Sequence, residues 1–152
     1  MIQIVENQIL TCPMAGWADS VKHSPDTYIA AGLLGAGVVL FPHEGVLRAP
    51  CCGVVTFLRP EKYALGIQGQ QGMEILFQVG VDTAALQEAI TQVQPGSRVV
   101  QGQELLRFDL KAMERKCASS SVAMVLNVPQ SQIQCLKIGE TLAGEPLLNV
   151  TV

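Results

Sequence analysis

"MEILFQVGVDT", residues 73–83, is an apolar run that ends at a glycine turn, and it decides the fold class. Ile75, Leu76, Phe77 and Val79 are of the β-branched or bulky type that fills a pleated, buried strand, and Gly80 allows the chain to turn. At its centre stands Gln78, a carboxamide with neither nucleophile nor useful pKa. An amide in the middle of such a strand calls for an explanation.

Outward from it the same pattern recurs. Short Val/Ile/Leu/Phe-rich stretches are separated by Gly or Pro at positions such as 45, 50, 53, 60, 66, 69, 72 and 80, which predicts an all-β chain folded as an antiparallel sandwich or barrel. Two stretches break that rhythm. "DTAALQEAITQV" (82–93) has apolar residues at 85, 86, 90 and 93 behind Asp82 as a helix cap. "DLKAMERKC" (109–117) places Leu110, Met113 and Cys117 at helical spacing behind Asp109. One or two short helices on a β body are expected. Pairs of similar segments also appear: "CPMAGWADSV" (12–21) with "APCCGVVTFL" (49–58), and "GSRVVQGQELLRF" (96–108) with "IGETLAGEPLLNV" (138–150). Their repetition in the same order predicts a duplicated β unit, interleaved so that few edges are left free.

Composition bounds the function. The 152 residues fit one domain, 1–152, with 49% apolar and 15% charged residues, a globular rather than disordered balance. The net charge of −3 offers no electrostatic reason to expect nucleic acid or an anionic membrane. The longest apolar run, "YIAAGLLGAGVVLF" (28–41), falls short of the ~20 residues a span requires. Glu6 stands where an export signal would carry a basic flank, so a cytoplasmic protein is expected. Five cysteines (12, 51, 52, 117, 135), without CxxC or zinc spacing, read as reduced and mostly buried. His23 and His43 read as exposed turn residues in no metal pattern, so neither metal nor cofactor is expected.

"APCCGVV", "GMEILFQVGVDT", "GSRVVQGQELLRFDL" and "IGETLAGEPLLNVTV", in this order, resemble the glucose-type enzyme IIA (EIIA type-1) domain of the bacterial phosphoenolpyruvate-dependent sugar phosphotransferase system. The resemblance covers nearly the whole chain and implies a flattened antiparallel β-sandwich of a duplicated motif. Active members of that family carry phosphate on one histidine, received from a small histidine-containing carrier protein and passed to a sugar-specific IIB domain, with a second histidine beside it. Imidazole suits the task because its neutral nitrogen is nucleophilic near neutral pH. By the resemblance, the acceptor belongs at Gln78 and its companion at Tyr63, so both imidazoles are replaced, while Asp82 matches the family and reads as a helix cap.

The resulting expectation is a non-catalytic relative that acts by binding protein partners, with Tyr63, Leu65, Phe77, Gln78 and Val79 as the docking face. Two alternatives stay open. One is a phosphocarrier with a different acceptor, His43 or Tyr63. The other is a biotinyl or lipoyl carrier, whose AP-x-x-G text is similar; Lys111 lies near suitable letters but on a helical pattern.

Overall fold

The computed structural model describes residues 7–151. In chain order its strands are β1 (Asn7–Thr11), β2 (Gly16–Ser20), β3 (Ala36–Pro42), β4 (Val46–Arg48), β5 (Gly53–Leu58), β6 (Ala64–Gln68) and β7 (Glu74–Val81). There follow β8 (Arg98–Val99), β9 (Glu104–Arg107), β10 (Ser119–Leu126), β11 (Ile133–Cys135), β12 (Gly139–Thr141) and β13 (Pro146–Thr151). Two short helices accompany them, α1 (Thr27–Ala30) and α2 (Leu110–Lys116).

Eight strands form one antiparallel sheet in the order β12-β2-β3-β10-β7-β6-β5-β8. A three-stranded sheet, β1-β13-β11, and the pair β4-β9 complete the all-β architecture. The principal core lies on one face of the large sheet and holds Leu10, Met14, Val38, Leu40, Leu65, Ile67, Ile75, Phe77, Val79, Met124, Leu105, Leu106 and Leu148. Along β7, Ile75, Phe77 and Val79 are buried while Leu76 and Gln78 are half-buried, the two-residue period of a strand with unequal faces. A smaller cluster of Val21, Ile29, Ala123 and Val125, with Leu76 against it, covers the other face. Gly37 permits β3 and β10 to pair so closely, because a Cβ there would stand 2.0 Å from the Met124 carbonyl oxygen.

The repetition in the sequence is repeated in the backbone hydrogen bonds. The Ala49 N–H donates to Gln103 O at 2.9 Å, and the Gly102 N–H to Ala49 O at 2.8 Å. In the other copy the Cys12 N–H donates to Glu145 O at 2.7 Å, and the Gly144 N–H to Cys12 O at 2.9 Å. Each Xaa-Pro (Ala49-Pro50, Cys12-Pro13) thus seats against a turn whose glycine, Gly102 or Gly144, has a positive φ of 88° or 91°.

Helix α2 forms where the pattern at 109–117 predicts it, with the Asp109 carboxylate accepting from the Ala112 N–H at 3.0 Å. The helix expected over 82–93 is not there. Asp82 sits at φ 59° after Gly80 at 74°, and the chain beyond makes a single turn, the Leu86 N–H donating to Thr83 O at 3.0 Å, so Asp82 caps no helix. The Ala89 N–H reaches Glu61 O at 3.4 Å, and Ile90 and Arg107 exchange both backbone bonds at 2.8 Å. Tertiary hydrogen bonds therefore override a local apolar spacing. Helix α1 is the reverse case: Asp26 accepts from Tyr28 and Ile29 N–H groups and starts a short turn of helix in a run that reads as plain apolar chain. Among the described residues no helix is long and apolar enough to cross a membrane.

Candidate functional site

Gln78 lies in the middle of the large sheet, and strand pairing fixes its neighbours. Across the outer face run Asp19 on β2, Val39 on β3, Ala123 on β10, Gln78 on β7 and Ala64 on β6, each paired with the next. Val39, Ala123 and Ala64 are small or flat and buried, so Gln78 is the long polar side chain in an apolar row. Its Nε2 donates to Gly80 O at 3.4 Å, a weak tie within its own strand. Gly80 itself is confined: a Cβ would meet Thr83 Cγ2 at 2.8 Å and Met113 Sδ at 2.9 Å.

The apolar residues expected to surround Gln78 as a docking face do not reach solvent. Leu65, Phe77 and Val79 are each 0% exposed and belong to the principal core. Strand alternation gives the reason: residues adjacent to Gln78 in sequence must point to the opposite side of the sheet. Tyr63 is also buried, in the same core cluster as Leu65, and its hydroxyl donates to Gln87 O at 2.5 Å. Burial pushes the Tyr63 phenol upward, and the negative potential of Cys117 and Asp109 adds to that shift. A phenol that keeps its proton and spends it on a carbonyl is a fixed structural donor. The backbone does join the two positions, since the Val79 N–H donates to Tyr63 O at 2.8 Å.

The exposed apolar surface on the side of Gln78 comes instead from the segment around α1. Ile29 packs under it against Ala123 and Val125, while Tyr28 and Leu33 are each 68% exposed and Leu34 47%. Leu34 lines a cleft of about 240 Å³ with Phe57, Leu76 and Val125. Leu76 is two residues from Gln78 on the same strand, and Val125 two from Ala123, so this cleft and the amide share one face. The sequence signal for this surface is "SPDTYIAAGLL" (24–34), an Asp-Thr start followed by large apolar residues with no partner strand of their own.

Neither histidine stands beside Gln78. His23 Nδ1 pairs with Asp19 Oδ1 at 2.9 Å, and this partner holds the Asp19 carboxyl below the usual carboxylate range. Asp19 is three strand spacings from Gln78, about 14 Å. His43 Nε2 pairs with Glu140 Oε2 at 2.8 Å on β12, four spacings or about 19 Å from β7. Asp82 is exposed and Lys111 lies exposed on α2. Among the described residues no group of three or more His, Cys, Asp or Glu could hold a metal ion. All five cysteines are free; Cys12 and Cys51 are buried, and burial pushes the Cys51 thiol up to about 11. What remains at position 78 is a donor and an acceptor of hydrogen bonds at the floor of an apolar surface, without a nucleophile.

The family model for the phosphoenolpyruvate-dependent sugar phosphotransferase system, EIIA 1, matches residues 8–131. The chain is 32% identical over 123 residues to the glucose-specific EIIA component of Bacillus cereus, covering 78% of this chain and 73% of that protein. It is 28% identical over 145 residues to the glucoside-specific EIICBA component of Staphylococcus carnosus, covering 93% of this chain but spanning 21% of that longer protein. Among solved structures it is similar to the glucose permease IIA of Mycoplasma capricolum, with a TM-score of 0.88, 26% identity and coverage of 95% and 96% of the two chains.

Proposed function

The chain belongs to the EIIA type-1 family of the sugar phosphotransferase system, and from that premise we propose that it serves the system as a binding partner and does not carry phosphate. The observation that carries this reading is Gln78 itself. It occupies the position where the resemblance places the acceptor histidine, in "LFQVGVDT", and a carboxamide neither accepts nor hands on a phosphoryl group at neutral pH. Tyr63, at the companion position, is buried with its proton engaged, and His23 and His43 are bound to carboxylates several strands away.

The partner is a protein of the phosphotransferase system, the small histidine-containing carrier being the first to test, and the compartment that goes with this reading is the cytoplasm. The docking face is the one around Gln78, formed by Tyr28, Leu33, Leu34 and Leu76. Large apolar side chains exposed together on one face mark a surface for protein interaction.

The test is a titration of isotope-labelled protein with that carrier. Shift changes should cluster at residues 27–34 and 76–78, and Leu33→Asp with Leu34→Asp should weaken binding about tenfold or more, since a charge would be buried in an apolar contact. Ile138→Asp, at an exposed site on another part of the surface, should leave binding unchanged. Shift changes elsewhere, or binding indifferent to the Leu33 and Leu34 changes, would reject the face.

A further inference from the structure

The segment 86–90, denied its helix, arches over a cavity of about 510 Å³ that none of the preceding roles uses. Its opposite walls are Arg107–Asp109 and α2. The walls are tied in place by the Ile90–Arg107 backbone pair and by the bond from the Tyr63 hydroxyl to Gln87 O, so the space is formed in advance. Tyr63, Ala89 and Phe108, each less than a tenth exposed, make the interior apolar, and Leu86, Ile90 and Ala112 extend it towards the mouth.

The charges at the mouth are unequal in their commitments. Glu88 is paired with Lys62 at 2.9 Å, Arg107 with Glu104 at 2.5 Å, and Asp109 caps α2. Arg115 and Lys116 also line the cavity and have no anionic partner among the described residues. Glu88 and Arg107 are therefore neutralised by their partners, and the charges left over are two cations, Arg115 and Lys116, against the single carboxylate of Asp109, a net positive lining. An apolar pocket of this size with free cations at one side is built for a molecule that is apolar at one end and anionic at the other.

We propose that this cavity is a binding site for a small organic anion, an aromatic or alkyl carboxylate, sulfonate or phosphate ester, with its apolar body against Tyr63, Ala89 and Phe108 and its anionic group between Arg115 and Lys116. The site is independent of the docking face, because its lining omits Gln78 and the α1 segment.

The test uses two fluorescent probes of similar body, anionic 1-anilinonaphthalene-8-sulfonate and neutral N-phenyl-1-naphthylamine. The sulfonate should bind the wild-type chain at one saturable site and weaken with added salt. R115Q/K116Q, two changes on exposed side chains, should weaken it about tenfold while leaving the neutral probe unaffected. A112F, which projects a ring into the space, should remove both, with a folded amide spectrum as control. Leu33→Asp with Leu34→Asp should change neither, which separates the cavity from the exposed apolar surface. Sulfonate binding that is unchanged in R115Q/K116Q, or that survives in A112F, would overturn the proposal, as would the absence of saturable binding to wild type.

Discussion

Side by side on β7, Phe77 and Gln78 have opposite duties, and substitution separates them. Phe77 is fully buried in the core, so Phe77→Ala should lower unfolding stability by about 3–5 kcal/mol, read from denaturant midpoints. Gln78→Ala removes one weak hydrogen bond from a half-buried position and should cost less than about 1 kcal/mol. Tyr63 is raised in the folded state, by burial first and by neighbouring negative groups second. The sign follows. Its contribution is complete below the ordinary phenol value of about 10 and disappears as pH rises through the higher folded value, so stability should decline in that alkaline window. Tyr63→Phe should flatten the decline. The cysteines divide in the same way: at neutral pH a thiol reagent should label Cys52 and Cys135 quickly, and Cys12 and Cys51 only after unfolding. Quick labelling of Cys51 in folded protein would contradict its burial.

Elements form here when a side chain settles their ends. Helix α2 is started by Asp109, and Asp109→Ala should cost about 1 kcal/mol through loss of that cap, seen as a lower thermal midpoint. The segment 82–93 has a comparable spacing and begins with Asp82, yet Asp82 turns to a left-handed φ and Ala89 and Ile90 are held by distant backbone. The alternation of β7, the cap of α2 and the turn glycines were therefore legible in the sequence, since each is a local preference. The fate of 82–93 was not, because it depends on Glu61 and Arg107, which lie far from Ala89 and Ile90 in sequence, one before and one after. Leu65, Phe77 and Val79, expected at the surface beside Gln78, are buried for a related reason. Reading consecutive residues around Gln78 as one surface ignores that a strand sends its neighbours to opposite sides, while the exposed Tyr28, Leu33 and Leu34 come from a segment distant in sequence.

At the scale of the molecule, one sheet separates two kinds of surface. Its inner face is sealed by the principal core; among the described residues its outer face carries the small cluster beneath α1, and Gln78 on that face is half-buried. The EIIA scaffold is kept, and in the reading proposed above the place from which phosphate would be transferred holds an amide. The paired turns at Ala49-Pro50 and Cys12-Pro13, with equivalent backbone bonds, carry the duplicated framework.

The most direct measurement is intact mass after incubating the protein with phosphoenolpyruvate and the general phosphotransferase proteins, alongside Gln78→His and an active relative. The account predicts that the wild-type chain gains no phosphoryl group, that the active relative gains one, and that Gln78→His gains it slowly because Tyr63 still replaces its companion. An acid-labile phosphoryl group on the wild-type chain, acquired at the rate of the active relative, would contradict it.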